Sequence, residues 1–206
     1  MIGIIDYGLG NVRAFLSCYK DLNIEALSVS DPATLGNFSH IILPGVGSFD
    51  EAMLKLTHTK FDQAIRLALS EGAYLMGVCV GMQVLADSSS EGSLPGLGII
   101  KGRVTKFGDQ NSNLSIVTPH MGWNEVLFDQ AQPIFEGLCQ EGSEFYFLHS
   151  YYFSVGNVES AIAHTTYKER FCSAVGVDNV YGFQFHPEKS HDNGRLLLNN
   201  FSKLGL

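Results

Sequence analysis

Residues 74–85 read Tyr-Leu-Met-Gly-Val-Cys-Val-Gly-Met-Gln-Val-Leu, an apolar run that meets a single cysteine with a glycine on either side, two positions away. This pattern predicts a buried strand, a sharp turn with Cys79 at its tip, and a helix-like run behind it: the arrangement of a nucleophile elbow. A strained turn crowds its neighbours, so residues without a Cβ are needed at Gly77 and Gly81. A helix starting just after Cys79 would aim unpaired N–H groups and its positive dipole end at the sulfur, favouring thiolate. A buried, inert cysteine in a strand-to-helix turn fits the same residues. The segment alone leaves both readings open.

About a hundred residues later comes Val180-Tyr181-Gly182-Phe183-Gln184-Phe185-His186-Pro187-Glu188-Lys189-Ser190. The β-forming run delivers His186 at its end, and Pro187 stops the strand. A thiol at neutral pH is only about a few per cent ionised, so a cysteine nucleophile needs a base beside it and a third group to orient that base. Cys79, His186 and Glu188 would fill these three roles. Alone, His186 would read as a strand-end histidine bonded to backbone, with Pro187-Glu188 an ordinary turn. Paired with the elbow, the catalytic reading is favoured.

Short apolar runs alternate with amphipathic segments along the first half. Residues 2–5, 24–29, 40–43 and 73–78 read as strands. Asn11 is placed to cap a helix over 12–20, and residues 61–70 carry helical apolar spacing. Asp31-Pro32 ends the second strand, and Pro44-Gly45-Val46-Gly47 breaks the third. The alternation argues for a parallel sheet covered on both faces. Beyond Gly98 the strands shorten, glycine increases and aromatics cluster over 145–152; residues 194–204 read as a closing helix. No repeat or linker divides residues 1–206, so one domain is expected.

The net charge of −8 argues against a nucleic acid or an acidic membrane surface as partner. Cys18, Cys79, Cys139 and Cys172 form no CxxC pair and have no ligand spacing with histidine, so neither a metal site nor a disulfide framework is expected. No leader or bilayer-length apolar run is seen. A soluble, cytoplasmic protein is expected.

Gly77-Val78-Cys79-Val80-Gly81-Met82-Gln83 with His186-Pro187-Glu188 resembles the class I glutamine amidotransferase family. Three further stretches, Asp6-Tyr7-Gly8-Leu9-Gly10-Asn11, Leu43-Pro44-Gly45-Val46-Gly47-Ser48-Phe49 and Pro119-His120-Met121-Gly122-Trp123-Asn124, narrow the resemblance, as does the extension to Lys189-Ser190. They are similar to the branch that serves histidine biosynthesis, and the likeness spans residues 3 to about 201. It implies a flavodoxin-like, open, mostly parallel α/β sheet with helices on both faces, a nucleophile elbow and a smaller antiparallel extension. It also implies hydrolysis of L-glutamine to glutamate and ammonia by Cys79, His186 and Glu188, with no cofactor. Ammonia would be channelled to a (β/α)8-barrel cyclase subunit in a heterodimer, yielding imidazole glycerol phosphate and aminoimidazole carboxamide ribotide.

Acyl transfer needs backbone N–H donors aimed at the developing oxyanion. Val80, just after the nucleophile, is one candidate, and the loop Gly45, Val46, Gly47 is the other; a plain tight turn is the alternative for that loop. Gln83, one helical turn from Cys79, matches the residue that holds the substrate's amino-acid head group. Gly47, His149, Ser150 and Tyr151 match the rest of that pocket, His149 as a positioning or structural residue rather than a second base. Asn11, Met121, Trp123 and Lys189 match positions facing the partner, and Trp123 is the sole tryptophan. Two departures, Val80 for leucine and Ser150 for threonine, keep the backbone groups required. In α/β hydrolases the acid precedes the histidine, whereas here it follows. The alternatives are a paralogous glutaminase subunit feeding another synthase, such as a sugar-amidating enzyme of surface polysaccharide synthesis, and a catalytically silent binding module.

Overall fold

The computed structural model describes residues 1–109, 116–129 and 131–205. Strand β1 (Ile2–Ile5) is buried throughout, and Asn11 caps α1 (Val12–Asp21) by accepting the Ala14 N–H at 3.3 Å. β2 (Ala26–Val29) begins two residues later than its apolar run suggested and ends before a turn capped by Asp31. β3 (His40–Gly45) runs through Pro44 and Gly45 rather than stopping at Leu43. The Ser39 carbonyl accepts the Tyr74 N–H, so alternate residues put Pro44 on the β1 side, where pairing has already ended at Ile42. Its missing N–H is therefore not needed there.

Helix α2 (Phe49–Thr59), unforeseen from periodicity, starts where Ser48 Oγ accepts the Glu51 N–H. Lys60, in the left-handed region, joins it to α3 (Phe61–Ser70), and β4 (Tyr74–Cys79) leads into α4 (Val80–Gln83). α4 has four residues, far shorter than the run after Cys79 suggested. The carbonyls of Val84, Leu85 and Ala86 that would extend it instead accept the N–H groups of Leu97, Ile99 and Gly98.

Then follow β5 (Ser88–Ser89), β6 (Gly102–Lys106), β7 (His120–Glu125), β8 (Leu127–Phe128), β9 (Glu144–His149), β10 (Tyr151–Val155), β11 (Ala161–Tyr167), β12 (Glu169–Val177) and β13 (Val180–Phe183). The closing helix α5 (His191–Phe201) starts and ends three residues before its expected span. The main sheet has the order β2-β1-β3-β4-β13-β12-β10-β6-β5, with β11 beside β12 and β8 beside β11. Its first five strands are parallel, and the antiparallel extension begins at the β13–β12 pair. β7 and β9 form a separate antiparallel pair. The crossovers β1–α1–β2 and β3–α2–α3–β4 run in opposite directions across the sheet. Right-handedness therefore sends α1 to one face and α2 and α3 to the other; α5 joins α1. The carboxyl ends of β3, β4 and β13 meet where open α/β sheets place their ligands. Among the described residues no helix is long and apolar enough to cross a membrane.

Candidate active site

The elbow is built by close backbone approach. β4 lies between β3 and β13, with Cys79 opposite Gly45 and Val78 opposite Phe183. Cys79 takes φ 56° and ψ −114°, a conformation that costs a residue with a side chain about 1–3 kcal/mol. A Cβ on Gly81 would lie 1.9 Å from the Leu43 carbonyl oxygen, and one on Gly77 would lie 2.4 Å from that of Gly81. Both glycines are thus required by the folding of the elbow onto β3.

The chain leaving β13 brings the histidine to the sulfur. His186 donates its backbone N–H to Tyr146 O at 2.8 Å, which ties the strand end to β9. Ser190 closes the same junction: its Oγ donates to His186 O at 2.6 Å and accepts the Tyr146 N–H at 3.0 Å. The His186 imidazole lies between Cys79 and Glu188, with Nδ1 2.9 Å from Glu188 Oε1. Both side chains of that pair are almost wholly buried, and among the described residues Glu188 Oε2 has no hydrogen-bond partner. Burial pulls the imidazole pKa down. The hydrogen bonds and charges of Cys79 and Glu188 outweigh it and push the value up to about 10.

Cys79 and His186 line a cavity of about 280 Å³ together with Val46, Gly47, Val80, Gln83, His149, Ser150, Tyr151 and Lys189. Gly45 stays outside it, ending β3 with its Cα against the backbone of Val80 and Gly81. Gly47 sits at φ 91°, in the left-handed region. Gln83 Nε2 donates to Tyr151 O and to Gln184 Oε1, both at 3.0 Å. With those hydrogens used, Gln83 can offer a ligand only its Oε1, an acceptor suited to an ammonium group.

Two polar residues around the site were missed by sequence reasoning. Gln184 is fully buried and donates to Cys79 Sγ at 3.8 Å. A signal existed, since a lone amide between Phe183 and Phe185 in an apolar run must find partners when buried. Glu91 also lines the cavity, its Oε2 accepting the Phe49 N–H at 2.8 Å at the start of α2. Asp50 fixes the loop by accepting the Ser93 and Leu94 N–H groups at 3.0 and 3.1 Å, and those bonds lower its pKa. No local pattern marks Glu91.

Met121 and Trp123 are 67% and 43% exposed, so the sole tryptophan is not a core anchor. Its indole stacks on His191 with centroids 4.8 Å apart. Lys189 is exposed at the cavity rim, its Nζ 5.5 Å from the Tyr146 ring centroid. Asn11 is exposed but engaged as the α1 cap. Chemically, the arrangement sets a thiol, an imidazole and a carboxylate paired with that imidazole at one small-molecule cavity.

Residues 4–204 match the family described as glutamine amidotransferase class-I. Proteins named imidazole glycerol phosphate synthase subunit HisH from Bdellovibrio bacteriovorus and Leptospira interrogans are each 45% identical over 205 residues, covering 99% of this chain and 100% of theirs. A solved structure titled as a glutamine amidotransferase superposes with a TM-score of 0.74 at 22% identity, covering 98% of both chains. A Thermotoga maritima PurLQS chain does so with a TM-score of 0.75 at 18% identity, covering 98% of this chain and 96% of that one.

Proposed function

The chain belongs to the class I glutamine amidotransferase family, and from that membership we infer that it is the glutaminase subunit of an imidazole glycerol phosphate synthase, acting in histidine biosynthesis. The observation that carries the chemistry is the buried His186–Glu188 pair set against Cys79 at the cavity. The near-full-length likeness to HisH subunits favours the histidine branch over a sugar-amidating paralogue.

Cys79 passes its proton to His186 as its Sγ attacks the side-chain carbonyl carbon of L-glutamine. The oxyanion forms toward the Val80 N–H and the Val46–Gly47 loop, where one donor is worth about 3–4 kcal/mol. His186 gives its proton to the departing nitrogen, and ammonia leaves a glutamyl thioester. Water, deprotonated by the now neutral His186, attacks the thioester; glutamate departs and the catalytic dyad is restored. Gln83 Oε1 and the Glu91 carboxylate receive the substrate ammonium, with the Ser150–Tyr151 backbone beside them. Glu188 holds the imidazole with Nδ1 turned away from the sulfur. No cofactor enters these steps.

Glu188→Gln is expected to lower kcat by about 10²–10⁴-fold. The rate should fall as pH rises through the His186 value, pushed up to about 10, because the imidazole must hold a proton to deliver it. Removing the carboxylate charge lowers that pKa and moves the alkaline limb to lower pH. A pH–rate profile with an unmoved limb would contradict this role of Glu188.

Met121, Trp123, Asn11 and Lys189 form the face that meets a (β/α)8-barrel cyclase subunit, which receives the ammonia. The dispersed, unpaired cysteines suit a reducing cytoplasm, and residues 1–206 act as one domain. Glutamate release should rise about tenfold to a hundredfold when both the cyclase subunit and its nucleotide ligand are added, a change of the size typical of coupling between sites. Turnover that neither addition alters would point to a different partner.

A further inference from the structure

We propose that His120 is a positioning residue for glutamine binding, holding a buried hydrogen-bond chain that runs from β7 to the nucleophile. The proposal rests on the glutaminase reading of the cavity.

The chain is continuous. Asn124 Nδ2 lies 3.2 Å from His120 Nε2, and His120 Nδ1 lies 3.0 Å from His149 Nε2. His149 Nδ1 lies 2.8 Å from Tyr151 O. That carbonyl also accepts from Gln83, which donates to Gln184, which in turn donates to Cys79 Sγ.

Its two ends independently demand the same tautomers. At the inner end a carbonyl can only accept, so His149 carries its proton on Nδ1 and presents Nε2 as an acceptor. His120 must then donate from Nδ1. At the outer end Asn124 is oriented by the Glu125 N–H donating to Oδ1 at 2.8 Å and by Thr166 O accepting from Nδ2 at 3.0 Å. Asn124 therefore donates to His120 Nε2, again leaving the His120 proton on Nδ1. A proton added to either ring would set two N–H groups against each other. Burial holds the pKa of His120 near 4 and that of His149 near 3, so both rings stay neutral.

Among the described residues, aromatic rings enclose His120. Its ring stacks on Phe147 and Tyr167 at 4.7 and 4.2 Å, with Phe107 and Phe171 edge-on. Losing the His120 donor would strand a buried acceptor on His149. The Tyr151 carbonyl, and with it the Gln83 amide that faces the substrate, would lose its fixed geometry.

The test reads binding on the full chain without its partner. Cys79 is alkylated with iodoacetamide, its peptide is quantified by mass, and L-glutamine is titrated as protectant. Protection of the parent establishes the glutamine pocket; its absence would overturn the glutaminase reading itself. Given that protection, His120→Phe, which fills the aromatic box, should raise the half-protecting concentration at least about tenfold. His120→Asn, which restores a donor near the Nδ1 position, should return it to within about threefold of the parent. If His120→Phe does not fold, His120→Leu takes its place. Protection within twofold of the parent in the apolar variant would overturn the proposal. So would an Asn variant as weak as the apolar one at an equal unfolding temperature.

Discussion

Cys79→Ala is expected to lower glutamine hydrolysis by at least about 10⁴-fold, because removing a nucleophile leaves only binding and oxyanion stabilisation to act on water. The fold should survive. Alanine carries a Cβ as cysteine does, so the strain at φ 56° is unchanged. Apart from His186, the sulfur's polar contacts are long, 3.8 Å from Gln184 Nε2 and 3.9 Å from Leu148 O. Glutamate release measured with the cyclase subunit present, together with a thermal melt, reads both effects. Substantial turnover in a preparation cleared of contaminating glutaminase would remove Cys79 from the mechanism.

Gly81→Ala should instead attack the fold. Its Cβ would stand 1.9 Å from the Leu43 carbonyl oxygen and 2.9 Å from that carbon. These are backbone atoms of a central strand, so no side chain can swing aside. The expected loss is at least about 3–5 kcal/mol, at the high end for single substitutions. For a chain of this size that lowers the unfolding temperature by roughly 10 °C or more, or prevents folding. Gly72→Ala separates clash from backbone strain. Gly72 has φ 92° and, among the described residues, nothing within 4 Å of the added Cβ, so strain dominates there and the loss should be far smaller. Equal losses at the two sites would show that crowding at the elbow is not what requires Gly81.

Parts of the fold not foreseen were still written locally. Ser48-Phe49-Asp50-Glu51 has the spacing of a capping box, and α2 begins there, with Ser48 accepting the Glu51 N–H at 3.4 Å. Gln184 is a lone amide between two phenylalanines just past β13 and announces a buried polar contact. The shortness of α4 was not local. Val84, Leu85 and Ala86 have helical character, yet their carbonyls are claimed by residues 97–100, and nothing within the helix encodes that competition.

By itself the sequence determined the strand-turn-helix at Cys79, the α1 cap at Asn11 and the alternation that builds the parallel sheet. Each follows from interactions a few residues apart or from motifs whose glycines and prolines restrict the backbone directly. Only the tertiary structure decided that Glu91 enters the cavity, that Gly45 stays out of it, and that His120 and His149 join in one chain with Gln83. His120 meets His149 because β7 pairs with β9 in a register that sets those two residues opposite each other. Glu91 reaches the site because α2 offers its first N–H to a loop 42 residues away. Contacts of this kind depend on strand register and on which helix end meets which loop, and both are settled by how whole elements pack.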